Sequence, residues 1–206
     1  MKKLQLITHT HNNNSNTTKA VIALHGWTGD EYVFEPIAKM LKINNAEWFF
    51  PRAPYKADSR DGNSWFSGNE KSGWHYKKTM RGLDNLVNKI LDQGYTKENL
   101  FFIGFSQGAC LAIEYALRMS FSIGGIVPIA GFIKFKEKLI EEMSTKSKST
   151  KILLLHGEED KLVSINESYS TFDILKEMGY NVKLKTYNAG HKIPVACHSS
   201  IKKFIE

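Results

Sequence analysis

The sequence predicts an α/β fold: a mostly parallel central sheet of about seven strands with helices on both faces. Three observations carry this. Short, continuous apolar runs recur along the chain, as expected of strands buried on both faces. Stretches with apolar residues at helical spacing lie between them. The two kinds of segment alternate, which calls for right-handed crossovers between parallel strands.

The elements follow in order. Residues 4–8 alternate weakly and read as an edge strand, followed by a polar turn cluster over residues 12–16. Residues 20–24 (Ala-Val-Ile-Ala-Leu) form the first buried run. Residues 48–50 (Trp-Phe-Phe) form the next, stopped by Pro51. Met80, Leu83, Leu86, Val87, Ile90 and Leu91 have helical spacing, and Gly94 offers a stop. A third buried strand covers residues 100–103, and a helix follows over 109–119. Strands are expected at 123–129 and 152–155 with a helix near 134–144 between them. A helix near 167–178, an alternating strand at 182–187 and a closing helix near 194–205 complete the chain. The segment from residue 131 to 150 has room for little more than one helix, so no large lid domain is expected.

The chain has 206 residues, which suits a single domain over 1–206. That length buries roughly 70% of the unfolded surface. With 42% hydrophobic and 24% charged residues, disordered and fibrous classes are excluded. The net charge of +7 comes from scattered lysines, with a local excess over residues 134–151, and reads as a solvated cationic surface. No arginine-rich patch or nucleic-acid motif is present, so no nucleic-acid partner is expected. Cys110 and Cys197 fit neither a CxxC nor a metal spacing and read as free thiols of a cytoplasmic chain. The first eight residues lack the apolar run of a signal peptide. No 18-residue apolar stretch exists, so no stable membrane insertion is expected.

Gly104-Phe105-Ser106-Gln107-Gly108 matches G-x-S-x-G between a buried strand and a helix. A serine on so sharp a turn has its hydroxyl lifted out of the sheet at the carboxyl edge. Side chains two before or two after it would clash, so glycine stands at both places. The helix N-terminus behind Ser106 favours a developing negative charge. The same residues could instead serve only tight packing and a helix cap.

An alcohol needs a positioned base. Of seven histidines, His191 follows Gly190 just after the last expected strand and can reach back over the sheet edge. His198, in the closing helix, is a rival. The base needs a carboxylate to hold its tautomer. Asp160 lies just past the strand at 152–155, with Glu158 and Glu159 as rivals at the same turn. The order Ser106, Asp160, His191 is that of serine hydrolases with this kind of turn.

A tetrahedral intermediate needs two amide donors aimed at its oxygen. One is expected from Gln107, the residue after the nucleophile. The other is expected from the loop Leu24-His25-Gly26-Trp27-Thr28-Gly29-Asp30, with Trp27 as the candidate and the glycines permitting unusual angles. His25 and His156 read as braces of their loops.

These residues form a set that resembles the phospholipase/carboxylesterase family of α/β-hydrolases, which includes carboxylesterases and acyl-protein thioesterases. The matching pieces are Leu24-His25-Gly26, Pro51-Arg52-Ala53-Pro54, Trp65-Phe66, the Ser106 motif, His156-Gly157-Glu158-Glu159-Asp160 and Gly190-His191. The Pro-x-Ala-Pro followed by Trp-Phe points to this family rather than to hydrolases at large. The resemblance implies that Trp65 and Phe66 shape the substrate site. It implies a monomer or homodimer acting on small ester or thioester substrates of short to medium acyl length, with no metal or organic cofactor. Lysophospholipase or acyl-protein thioesterase activity, and a non-catalytic binding protein, are the alternative readings. The chain departs from the pattern in three ways. Val163-Ser164 stands where the family's acid motif ends in Val-Pro. Two residues, Trp27 and Thr28, separate His-Gly from Gly-Asp where the family has one. The segment 55–64 is polar and poorly matched.

Overall fold

The computed structural model describes residues 4–12, 16–58 and 60–206. Seven strands form the main sheet: β1 (Thr8–Asn12), β2 (Lys19–Leu24), β3 (Ala46–Pro51), β4 (Leu100–Phe105), β5 (Gly125–Ile129), β6 (Lys151–Gly157) and β7 (Val182–Tyr187). Their order across the sheet is β1-β3-β2-β4-β5-β6-β7. Only β1 runs antiparallel, pairing Thr8 with Pro51 and Asn12 with Glu47. The remaining pairs are parallel. This is the mostly parallel seven-stranded sheet that the resemblance implies, and no lid domain stands among the described residues.

Burial explains the apolar runs. Ala20 through Leu24 are each buried. Ala20, Ile22 and Leu24 face one core, and Val21 and Ala23 face the other. The first core is covered by α2 (Lys77–Asp92), α3 (Gln107–Ala116), α4 (Lys136–Glu142) and α5 (Ile165–Glu177). Phe102, Leu111, Leu83 and Ile90 are among its members. The second is covered by α1 (Glu35–Leu41) and α6 (His198–Ile205), which contribute Phe34, Ala38, Leu41, Ile201 and Ile205. Each such side chain gains about 1.5–3 kcal/mol by leaving water.

Two expectations are corrected. The edge strand lies at Thr8–Asn12 rather than at residues 4–8. Leu6 is spent differently: it packs against Gly82 of α2, where a Cβ would meet its side chain at 2.7 Å. An edge strand is decided by backbone pairing more than by apolar content. Of the expected turn cluster, Asn13, Asn14 and Ser15 lie outside the described residues. Helix α1 was not foreseen, although Phe34, Ile37, Ala38 and Leu41 have helical spacing and Pro36 stands in its first turn.

α3 is held to the chain beyond β5 by a buried carboxylate. Glu114 is fully buried. It accepts hydrogen bonds from Arg118 at 2.5 Å and from the Phe135 amide at 2.8 Å. Arg118 also donates to Glu142 of α4 at 2.7 Å. Removing Glu114 leaves a mostly buried cation and a buried amide short of partners. Glu114→Ala is therefore expected to lose about 3 kcal/mol in urea unfolding with unchanged m value. A loss below about 0.5 kcal/mol, the range of an ordinary surface change, would contradict this account.

Candidate active site

The strand order reverses beside β2: the chain goes from β2 outward to β3, then returns to place β4 on the other flank. In open α/β sheets such a switch leaves a crevice at the carboxyl ends of the strands. The loop after β2, residues 25–30, and the turn after β4, at Ser106, border that crevice from adjacent strands.

Ser106 has φ of 53°, a left-handed value that non-glycine residues rarely adopt. Such strain costs about 1–3 kcal/mol and persists only where surroundings enforce it. Here β5 enforces it, since the Ser106 amide donates to the Ile129 carbonyl at 2.9 Å. The two glycines have separate reasons. A Cβ on Gly104 would overlap the Gly108 carbonyl, and one on Gly108 would overlap the Leu24 carbonyl. Backbone passes backbone at both points. Ser106 stands immediately before α3, and its carbonyl accepts from the Ala109 and Cys110 amides.

Asp160 and His191 come from neighbouring turns zipped together. The Glu158 amide donates to the Tyr187 carbonyl at 2.9 Å and the Glu159 amide to the Ala189 carbonyl at 3.1 Å. A Cβ at Gly157 would overlap the Ala189 carbonyl. His191 Nδ1 then lies 2.7 Å from Asp160 Oδ2. The other oxygen, Oδ1, accepts from the Leu162 and Val163 amides at 2.9 Å each. Burial pushes the carboxyl up, but the Val163 amide, His191 and the Leu162 amide outweigh it and hold Asp160 below its usual value. An ionised Asp160 accepts a hydrogen bond from His191 Nδ1–H, which fixes the tautomer that leaves Nε2 as the acceptor. The His191 ring packs at 4.7 Å from that of Phe105, the neighbour of Ser106. Among the described residues no hydrogen bond joins Ser106 Oγ to His191, and such bonds often tighten only with substrate bound. The rivals stand elsewhere: Glu158 accepts from Thr186, Glu159 is exposed, and His198 begins α6.

His156 braces the acid turn. It is fully buried, with Nδ1 2.6 Å from Ser168 Oγ and Nε2 3.0 Å from the Val163 carbonyl.

The loop after β2 is ordered by its carbonyls. The Ala53 amide donates to His25 Nε2 at 3.1 Å, so the ring proton belongs on Nδ1. Nδ1 donates in turn to the Gly26 carbonyl at 2.7 Å, and the Gly29 amide donates to the same carbonyl at 3.1 Å. In a trans peptide C=O and N–H point opposite ways. Fixing the Gly26 carbonyl therefore fixes the Trp27 N–H. Among the described residues neither the Trp27 amide nor the Gln107 amide has a hydrogen-bond acceptor. Gly26 lies against the nucleophile turn: a Cβ there would be 3.6 Å from Ser106 Cβ. Glu31 and Arg52 pair through both guanidinium nitrogens and anchor the end of the loop.

Trp65 and Phe66 are buried, at 0% and 2% exposure, so in this conformation they present almost no surface to a ligand. Trp65 shapes the site from behind, donating its indole N–H to the His25 carbonyl at 2.8 Å. Phe66 packs edge-on against Tyr76 and Phe135. The Gln107 side chain accepts from the Trp65 amide at 2.8 Å and donates to Ser64 Oγ at 2.9 Å. That tie between α3 and the 63–66 segment was not foreseen, and nothing in the sequence but proximity to Ser106 could signal it.

The sequence profile of the family described as phospholipase/carboxylesterase matches residues 7–206. The chain belongs to this family. Carboxylesterase SOBER1 of Arabidopsis thaliana is 26% identical over 189 residues, covering 84% of this chain and 83% of that one. Its crystal structure superposes with a TM-score of 0.80 over 91% of this chain and 97% of that chain, at 26% identity. Acyl-protein thioesterase 1 of Debaryomyces hansenii is 28% identical over 190 residues, covering 82% and 81%. The family match spans every site residue named above, including the enlarged loop at Trp27 and Thr28.

Burial holds the His25 pKa below its ordinary 6.5, against the pull of Gly26, Asp30 and Glu31. The folded chain thus keeps His25 neutral where the unfolded chain takes up a proton. Stability is fully present above pH 6.5 and declines as pH falls below it. Thermal melts from pH 7.5 to 5.5 are expected to show a smaller acid-induced fall in Tm for His25→Asn than for the native chain. Equal falls would contradict a neutral, buried His25.

Proposed function

We propose that this hydrolase cleaves carboxylic esters or thioesters of short to medium acyl chains, with Ser106 as nucleophile, His191 as base and Asp160 as acid. One observation carries the reading. His191 Nδ1 is bonded at 2.7 Å to a buried carboxylate and its ring packs on Phe105, the neighbour of a serine held at positive φ at the head of a helix.

The proposed steps are these. His191 Nε2 removes the Ser106 proton as Oγ attacks the acyl carbon. The carbonyl π electrons move to oxygen, and the amides of Trp27 and Gln107 receive the oxyanion. The imidazolium is stabilised by Asp160 and gives its proton to the leaving alcohol or thiol as that bond breaks. Water, deprotonated by His191, then attacks the acyl-enzyme and releases the acid and Ser106. No step requires a metal or organic cofactor. Each amide donor supplies about 3 kcal/mol of transition-state stabilisation.

Likeness to an acyl-protein thioesterase supports thioesters as a second class of acyl donor. In that reading the leaving thiol would come from an acylated protein. The chain would work as one domain, as monomer or homodimer. Two thiols kept buried and unpaired support a cytoplasmic location. No helix among the described residues is long and apolar enough to cross a membrane.

Turnover of p-nitrophenyl esters of increasing acyl length tests the proposal. Ser106→Ala is expected to lose at least about a thousandfold in kcat, and Asp160→Asn about a thousandfold to ten-thousandfold. Activity on esters that survives in Ser106→Ala would remove Ser106 from the reaction.

A further inference from the structure

The loop after β2 is kinked at Thr28. Thr28 sits at φ of 71°, a left-handed value that costs a non-glycine residue about 1–2 kcal/mol. A kinked loop is a poor support for an amide donor unless something outside it holds it. The segment that meets it is residues 62–64, the end of the poorly matched polar stretch. The two ends of this stretch pair antiparallel, Tyr55 with Ser64 and Lys56 with Asn63.

Asn63 grips the kink twice. Its backbone carbonyl accepts from the Thr28 amide at 2.9 Å. Its side-chain Nδ2 donates to the Gly29 carbonyl at 3.0 Å. Gly62, at φ of 119°, lets the two backbones meet, since a Cβ there would overlap the Thr28 carbonyl. The grip runs directly to the site. Gly29 is the residue whose amide holds the Gly26 carbonyl, and that carbonyl shares its peptide plane with the Trp27 N–H. On the far side, the strand pair is tied to α3 through Ser64 and Gln107.

We propose that Asn63 is a positioning residue for the oxyanion donor, and that the strand pair of Tyr55–Lys56 with Asn63–Ser64 holds the kinked loop by clamping Thr28 and Gly29. This rests on the assignment of Ser106 and the Trp27 amide made above. Asn63 touches no reacting atom. Its loss loosens Gly29, one of the two donors that hold the Gly26 carbonyl, and so the aim of the Trp27 N–H, which weakens binding of the transition state while leaving ground-state binding almost intact.

Asn63→Ala removes the donor. Asn63→Asp keeps the shape but turns an acceptor toward the Gly29 carbonyl. Both are compared with the native chain and with Ser106→Ala on a short p-nitrophenyl ester. The active fraction is fixed by fluorophosphonate labelling run to completion, so that kcat refers to folded sites only. The expected result is a fall in kcat per site of about tenfold or more with KM changed less than about threefold. A trifluoromethyl ketone, which forms an oxyanion on the nucleophile, should weaken by the same factor as kcat/KM. Native kcat per site in the Asn63 variants, with Ser106→Ala inactive, overturns the clamp and leaves the nucleophile standing. A loss carried by KM, or one not matched by the ketone, likewise overturns it. A native chain no faster than Ser106→Ala overturns the Ser106 assignment and this inference together.

Discussion

The close passage of Gly108 beneath the Leu24 carbonyl is the constraint on which the site depends. It brings the first turn of α3, which follows β4, against the end of β2, the strand that the sheet order has already made the neighbour of β4. The Ser106 turn and the loop carrying Trp27 are thereby pressed together, and any side chain at position 108 would drive them apart. The same logic recurs at Gly157, where the acid turn meets the turn before His191. Two backbone-to-backbone contacts at one sheet edge set Ser106 against the loop of Trp27, and Asp160 against the turn of His191.

Around these contacts the polar groups that are buried act as donors and acceptors with fixed roles. His25 is held in one tautomer by Ala53 and spends its proton on the Gly26 carbonyl. His156 links the acid turn to Ser168 of α5, and Ser168 reaches the Gly131 carbonyl at 3.2 Å. Gln107 spends its side chain on the 64–65 backbone and leaves its amide for the crevice. Burial makes each of these bonds costly to break, because an unpaired polar group in the interior costs about 1–3 kcal/mol. The site is accordingly a rigid one, built from neighbours of the reacting groups.

The sequence made some of this legible and hid the rest for physical reasons. Buried parallel strands announce themselves as apolar runs, so β2, β4 and β6 were readable nearly to the residue. The glycines at 104 and 108, with a serine between, encode the turn directly. The edge strand was misplaced because Leu4 and Leu6 looked more strand-like than Thr8–Asn12, while the pairing was decided by backbone bonds to β3. Helix α1 carried its signal in Phe34, Ile37, Ala38 and Leu41, but it is only seven residues long and has no side-chain cap at its start. Asn63 was invisible, since one amide in a polar stretch has no pattern. Only the fold brings it to Gly29, 34 residues earlier in the chain. Trp65 was expected to line the substrate site, whereas in the structure it is buried and donates its indole N–H to the His25 carbonyl.

The central claim is that Ser106, set on its strained turn, is the nucleophile activated by His191. Intact-mass spectrometry after treatment with a fluorophosphonate, followed by peptide mapping, tests this most directly. The account predicts one adduct per chain, located on Ser106, formed far more slowly in Asp160→Asn and absent from Ser106→Ala. A chain that takes up no label, or one labelled equally well when Ser106 is alanine, would contradict it.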